Sequence, residues 1–462
     1  MSARDSDHPV GALRQFLQAR RLDAPGIAGV VVALSGGPDS LTLLLAAAAA
    51  VPETGLRLRA LHVHHGLHAD ADAWAAQAMA QSAAAGVPCR VLRVRVADEA
   101  SLEAAARRAR YDALAAALAP DEALLLAHHQ DDQAETLLLR LMRGAGLHGL
   151  AGMRPLSSWR SADGRTIARW RPWLALPRTT LERWRPRALA CLRSHDPSLP
   201  EAALLPVADP ANHDARFDRS LLRHELLPLL ASRWPEAAGQ LARSAAQLAA
   251  QASALDALAD ALLASAGVRA DAPGPLPLPM LAALDDAALQ AVLARWLVRR
   301  GAAPLPVRYW PRVRGELLAA REDAQPRLEW AGWHLRRYRD GIFLCSPDNH
   351  DAAGPDVVPW PDVCLPLVLD GWCLQLLNLP DIPVQQGWSL RRRRDGDRWR
   401  PAGRRLQSLK SWCQQQGIPP WQRDRLWLLC RDDEIAAVLV GDRVIPAAGL
   451  FPARLEATRL GN

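Results

Sequence analysis

The stretch Ser35-Gly36-Gly37-Pro38-Asp39-Ser40 lies between a Val-rich apolar run, Ile27 to Leu34, and an Ala-rich apolar run, Leu41 to Ala50, that contains no helix breaker. That context predicts a buried strand, a tight turn and a helix. Two adjacent glycines let the backbone take unusual dihedrals and come close to a ligand. Ser35, Ser40 and the amides at the helix start can then donate to phosphate oxygens, with the helix dipole in support. No Lys follows the glycines, so this is not the GxxxxGK[ST] phosphate loop.

Outward from this loop, the first ~190 residues alternate strand and helix patterns, which implies a parallel sheet with crossover helices. Leu56 to His65, Cys89 to Val96 and Ala123 to Ala127 read as strands, and Ala71 to Ala85, Ser101 to Leu118 and Asp132 to Met142 as helices. Ser101 opens its helix with an imperfect capping box, the acid falling one place early at Glu103. A Pro- and Trp-rich stretch runs from Pro155 to about Pro200. Ala237 to Ala266 carries Leu241, Leu248, Leu255 and Leu262 at intervals of seven, and reads as a long helix packed on others. The fold class expected is α/β: a parallel-sheet nucleotide-binding domain over 1–230, a helical central domain over 231–345, a Pro/Asp/Gly-rich linker over 346–366, and a small α+β domain over 367–462.

With 462 residues and half of them hydrophobic, the chain has material for two to four domains. No apolar run reaches the length of a membrane span, and Met1-Ser2-Ala3-Arg4-Asp5 does not read as a secretory leader. Seven scattered Cys with no CxxC argue for reduced thiols in a cytoplasm. Lys410 is the single Lys. Residues 391–425 hold ten Arg and one Lys against three Asp, a local net of +8 in a chain whose total is +7. Such a concentration suits a polyanion such as nucleic acid.

Three further constellations carry chemistry. Ala127-His128-His129-Gln130-Asp131-Asp132-Gln133-Ala134-Glu135-Thr136 falls where the fourth strand ends and a helix begins. Two His and two Asp exceed what a helix cap needs, and a carboxylate beside bound phosphates suits Mg²⁺, which takes oxygen ligands. A zinc reading lacks Cys or a third spaced His. His62-Val63-His64-His65-Gly66-Leu67-His68-Ala69-Asp70 ends the second strand; on a strand His62 and His64 share one face and His65 takes the other, so a turn lining the nucleotide pocket is expected rather than a metal site. Asp209-Pro210-Ala211-Asn212 is followed by Arg219 and Arg223, four apart on one helix face and able to clamp phosphate. Arg107, Arg108 and Arg110 before Tyr111 pose the same choice between phosphate contact and a solvated basic face.

Together these residues resemble the bacterial tRNA(Ile)-lysidine synthetase family of the PP-loop (N-type) ATP pyrophosphatases, enzymes that split ATP into AMP and pyrophosphate. The likeness rests on SGGPDS, HVHHGL with its following AD, ARRARY, AHHQDDQAETLLLRLMRGAGLHGLAGM and DPANHDARFDRSLLRHELLP, and continues to Leu409-Lys410 and GIPPWQRDRLWLL. Two positions depart from the family pattern: Ala211 where it carries Ser, and Ser220 where it carries Asn. The resemblance implies ATP bound at Ser35, Gly36, Gly37, Pro38, Asp39 and Ser40. It further implies adenylylation of the wobble cytosine of an isoleucine tRNA with a CAU anticodon, and displacement of AMP by free L-lysine. Asp39, His128, Asp132 and Arg219 are the expected catalytic residues, Asp39 and Asp132 the expected Mg²⁺ ligands. Arg107, Arg110 and Arg223, with Arg391, Arg392, Arg393 and Arg394, are the expected tRNA or phosphate contacts. Lysine-binding residues are not identified, and an oligomer is compatible with the sequence. The competing readings are a tRNA thiolase, which would call for a catalytic Cys pair that Cys89 and Cys191 do not form, a small-molecule synthetase, and a noncatalytic RNA-binding protein on the same fold.

Overall fold

The computed structural model describes residues 8–96, 102–161, 164–207, 218–269, 274–321, 324, 326–346, 356–362, 365–369, 372–377, 387–440, 443–448 and 454–459. Ser101 and the Asp209–Asn212 segment lie outside these. Two compact units divide the chain, Met1–Ala254 and Leu255–Asn462.

The first unit is built on a six-stranded sheet. Its elements are α1 (Pro9–Asp23), β1 (Gly29–Ala33), α2 (Pro38–Ala50), β2 (Arg57–His64), α3 (Ala71–Ala84), β3 (Cys89–Arg93), α4 (Leu102–Ala117), β4 (Glu122–Leu125), α5 (Gln130–Met142), α6 (Leu147–Leu150), β5 (Leu156–Arg160), β6 (Thr166–Trp170), α7 (Arg178–His195) and α8 (Glu201–Leu204). The strand order is β3-β2-β1-β4-β6-β5. β1 pairs in parallel with β2 (Val31 opposite Arg59) and with β4 (Val31 opposite Leu124). The chain therefore winds outward from β1 to β3 and then crosses to the other side of β1. That reversal opens a crevice at the carboxyl ends of β1 and β4, where ligands bind in such sheets. Within the Trp-rich stretch, β6 continues the parallel sheet and β5 closes it as an antiparallel edge; neither strand is evident from sequence periodicity.

Both faces of β1 are covered, which explains its continuous rather than alternating hydrophobicity. Val30 and Val32 pack with Leu13, Leu17, Leu41, Leu44 and Leu181 on one face. Val31 and Ala33 pack with Leu114, Leu118 and Leu124 on the other. Each fully buried Val contributes about 1.5–3 kcal/mol. Trp173 is completely buried, and its Nε1 donates to the Pro9 carbonyl at 3.1 Å, tying α1 to the sheet.

After α9 (Asp218–Leu221), a π-turn over Leu222–Leu226 and α10 (Leu227–Arg233), the helix α11 spans Ala237–Ser265. Its buried positions include Ala245, Ala252 and Ala259, spaced by seven, with Leu263. The Leu stripe that marked this helix in the sequence is largely outside that seam, Leu262 being 40% exposed.

In the second unit, the segment expected to be helical also contains a four-stranded antiparallel sheet from Leu276–Pro277, Arg327–Trp330, Trp333–Tyr338 and Gly341–Cys345. It packs on the helix Asp286–Arg299 through Trp296, Leu293, Leu297, Leu335 and Ile342. A five-stranded antiparallel sheet follows, formed by Val357–Pro359, Trp388–Arg392, Trp427–Arg431, Glu434–Val440 and Arg443–Pro446. The stretch expected to be a linker thus supplies an edge strand, fastened by the buried Trp360, whose Nε1 donates to the Leu365 carbonyl. A lone apolar Trp-anchored triplet among Pro and Asp is too short to register as a strand by periodicity. Among the described residues the cysteines are free thiols, and no helix is long and apolar enough to cross a membrane.

Candidate active site

The Ser35–Ser40 loop joins β1 to α2 at the crevice. Gly36 has φ +86°, a left-handed conformation, and a Cβ there would stand 2.8 Å from Val207 Cγ2, so glycine is required twice over. Gly37 is the N-cap and Pro38 opens the helix. The two serines lock the turn: Ser35 Oγ and Ser40 Oγ are 2.9 Å apart, Ser40 Oγ donates to the Gly37 carbonyl at 3.1 Å, and the Gly37 amide donates to Ser35 Oγ at 3.3 Å. The Gly36 carbonyl accepts from the Gln81 side chain of α3 at 3.0 Å and from the Val207 amide at 2.9 Å. Gln81 is fully buried and also donates to the Leu205 carbonyl. Neither Gln81 nor Val207 was visible as a site residue in the sequence, since a mid-helix Gln and a loop Val carry no motif.

Opposite the loop, the chain leaves β4 and enters α5. His129 extends the parallel pairing through a bridge to Trp173 and is completely buried. It is the helix N-cap: its Nδ1 accepts from the Asp132 amide at 3.4 Å, and Asp132 Oδ2 accepts from the His129 amide at 3.0 Å. This reciprocal cap satisfies two orphan amides and leaves the ring proton on Nε2, an assignment made from the partners. Nε2 lies 3.6 Å from Asp39 Oδ2 and 3.5 Å from Asp132 Oδ2, so one imidazole holds together carboxylates from α2 and α5. Burial works against a positive charge on this ring, but Asp39, Asp132 and Asp131 hold its pKa above the ordinary value. Asp39 is likewise penalised by burial, yet His129, Arg178 and Arg223 keep its carboxyl below the usual range. The adjacent Asp131 serves another element, its Oδ1 accepting from the Arg178 amide at the start of α7.

Arg223 reaches in from the π-turn. Its Nε donates to Glu135 Oε1 at 2.7 Å, and its Nη2 to Glu135 Oε2 and Asp132 Oδ1, both at 3.1 Å. Expected as a phosphate contact, it is instead committed to two carboxylates of α5. Burial raises the Glu135 pKa despite this partner. Arg219, one turn earlier, is exposed and makes no ion pair among the described residues. His128, the imidazole favoured from the sequence, forms no ion pair with either carboxylate. Burial first, then the charges of Arg171, Arg110 and Arg219, lower its pKa to about 3 although Asp132 opposes them; it is neutral at pH 7. Asp39 Oδ1 and His128 Nδ1 are buried polar atoms without a hydrogen-bond partner, a deficit that a bound ligand would relieve.

The His cluster lines a cavity of about 380 Å³ beside Ser35, walled by Leu34, His62, His65, Trp74 and Arg110. His62 Nδ1 meets the Leu34 carbonyl at 2.9 Å, and His64 lies 3.2 Å from Asp72. The cluster is thus divided between backbone, carboxylate and cavity. Arg107 stacks on the Tyr111 ring at 5.2 Å.

The four terminal arginines do not form one polyanion-facing row. Arg391 is buried and forms a bidentate pair with Asp397 (3.0 and 2.8 Å), and Arg393 binds Asp424 and Asp395. Arg392 lies 3.8 Å over the Trp427 ring and donates to the Arg425 carbonyl. Of the four, Arg394 alone is exposed. Strand alternation turns Arg391 inward, so the expectation that its charge meets tRNA is replaced by a structural role.

A family model described as a PP-loop domain matches residues 12–230, the TilS substrate binding domain matches 276–343, and the TilS substrate C-terminal domain matches 388–453. A tRNA(Ile)-lysidine synthase of Alkalilimnicola ehrlichii is 40% identical over 452 residues, covering 93% of this chain and 94% of its own. Those of Xanthomonas campestris (39% over 441 residues, 94% of each chain) and Pseudomonas aeruginosa (40% over 430 residues, 89% of each) are similar to the same extent.

Proposed function

Because the chain belongs to the tRNA(Ile)-lysidine synthase family, we propose that it joins free L-lysine to the wobble cytidine of the CAU-anticodon isoleucine tRNA with conversion of ATP to AMP and pyrophosphate. The observation that carries this reading is the meeting of the Ser35–Ser40 loop with the Asp39–His129–Asp132 cluster at the crevice between β1 and β4. The cytosine carbonyl oxygen attacks the α-phosphorus and pyrophosphate leaves. The lysine ε-amine then attacks the activated ring carbon, and AMP departs with the former carbonyl oxygen. Cytosine oxygen is a poor leaving group by itself; as part of AMP it is a good one.

The residues divide this work by position. Loop amides and the α2 dipole face the departing pyrophosphate, and the 380 Å³ cavity beside Ser35 accommodates the nucleoside. Asp39 and Asp132 would hold Mg²⁺, whose charge would offset that of the phosphates; the buried, unpartnered Asp39 Oδ1 suits a hard cation that takes oxygen donors. His129 orients both carboxylates. Arg219, exposed one turn before Arg223, would meet a phosphate. The attacking amine must be neutral, so its proton has to be shed near these carboxylates. A tRNA substrate supports a cytoplasmic location for the reaction.

The test is incubation with ATP, Mg²⁺, labelled lysine and an isoleucine tRNA transcript bearing CAU. Label is expected in the tRNA, and Asp39→Ala should reduce its incorporation by at least about a hundredfold. AMP formation without incorporation of lysine would move the chain to another tRNA modification.

A further inference from the structure

Along β6 one face of the strand changes character as it climbs toward the crevice. Ile167 packs with Leu114 and Tyr111 beneath α4. The next two residues on that face are Arg169 and, just past the strand, Arg171. Arg169 lies 5.3 Å over the Tyr111 ring and 5.1 Å over the Trp159 ring, while Arg107 covers Tyr111 from α4 at 5.2 Å. Tyr111 and Trp159 meet edge to face at 5.3 Å. Arg171 is 5% exposed, with Nη1 donating to the Arg154 carbonyl and Ser157 Oγ. The Nε atoms of Arg169 and Arg171 are buried without a partner. No carboxylate pairs with Arg107, Arg110, Arg169 or Arg171 among the described residues.

Four guanidinium groups gathered with no counter-charge among the described residues repel one another, and the burial of Arg171 adds to the cost. Burial first, then Arg169 and Arg107, bring Arg171 down to about 10. A bound anion would offset that repulsion, and the two aromatic rings hold the guanidinium planes of Arg107 and Arg169 in advance. The wall stands at the carboxyl end of the sheet beside His128, whose neutral ring adds a polar atom and no further charge.

We propose that Arg169 and Arg171, with Arg107 and Arg110 and the supporting rings of Tyr111 and Trp159, form a phosphate-binding wall at the edge of the active-site crevice. Its ligand is a phosphate group, carried either by the tRNA backbone next to the reacting base or by the nucleotide. The inference rests on the lysidine reading for the identity of that tRNA, though not for the existence of the wall. Guanidinium forks match phosphate oxygens bidentately, and stacking lowers the entropy lost on binding.

The test uses the full-length protein with Arg169→Gln and Arg169→Lys, since Arg171 also supports the backbone of the β5 edge. The isoleucine tRNA transcript is titrated without ATP over a salt series, and ATP is titrated at saturating tRNA. For a tRNA phosphate, Arg169→Gln weakens tRNA binding about tenfold, makes the log–log salt slope shallower by about one, and leaves the KM for ATP unchanged. Arg169→Lys falls between, keeping the charge and losing the stack. For a nucleotide phosphate the KM for ATP rises about tenfold while tRNA affinity and slope hold. A folded Arg169→Gln variant with unchanged tRNA affinity, salt slope and KM for ATP would overturn the proposal. Wild-type protein that binds tRNA and incorporates no lysine would overturn the lysidine reading and leave the wall standing.

Discussion

Arg391 and Asp397 face each other in a buried bidentate pair, and this pairing decides what substitutions there will do. Burial pushes the Asp397 carboxyl up, but Arg391 and the Arg394 amide overcome it and hold the pKa below 3.8. A carboxyl whose folded pKa lies below its unfolded one stabilises the fold above the unfolded value and loses that contribution as pH falls through the folded one. Arg391→Gln is therefore expected to cost about 3 kcal/mol at neutral pH by leaving a buried carboxylate unpaired. The gap between variant and wild type should narrow in acid below pH 3.8. Urea unfolding of the two proteins at both pH values checks this; a gap that does not depend on pH would mean that the pair carries no such energy. The same scale separates neighbours that look alike in sequence. His129 binds the carboxylates and His128 does not; Asp132 faces the site while Asp131 caps α7.

At the scale of elements, the nucleotide loop is held by helix α3 and by the segment after α8, neither of which contributes to its motif. Gln81 joins the two by donating to the carbonyls of Gly36 and Leu205. Gln81→Leu keeps the volume and removes one donor from each carbonyl, which retain the Val207 amide and the Gln77 side chain, at a cost of about 1 kcal/mol. The freed loop should raise the KM for ATP by about tenfold, with the KM for lysine unchanged; initial-rate measurements in each substrate would show it. An unchanged KM for ATP would mean that the serine–serine contact and the Val207 amide suffice to hold the turn.

Across the whole molecule, the +8 cluster contains two contrasting groups of arginines. Arg391 and Arg393 are consumed by carboxylates. Arg398, Arg400, Arg404 and Arg405 are exposed and unpaired among the described residues, and these are expected to meet the tRNA. Replacing all four by Gln should make the salt dependence of tRNA binding shallower by about three in log–log slope without lowering the unfolding temperature. A slope equal to that of the wild type would exclude this face from the complex.

How much of this was legible beforehand follows from range. Strand, turn and helix around Ser35–Ser40, the apolar periodicity of the alternating strands and helices, and the local surplus of charge are short-range properties, and the linear chain carries them whole. The PP-loop fold and the lysidine family were legible as a resemblance carried by SGGPDS, HVHHGL, ARRARY and the AHHQDDQAET segment joined to DPANHDARFDRSLLRHELLP. Other features depend on which face a strand presents, as in the inward turn of Arg391 and the assembly of Arg107 and Arg169 around two rings. Others again depend on contacts between distant residues, as in the capture of Arg223 by Glu135, 88 positions away, and the choice between adjacent histidines. Side-chain partners of that kind are set only when the sheet closes and the helices dock, because a one-residue change of register would send each strand residue to the opposite face.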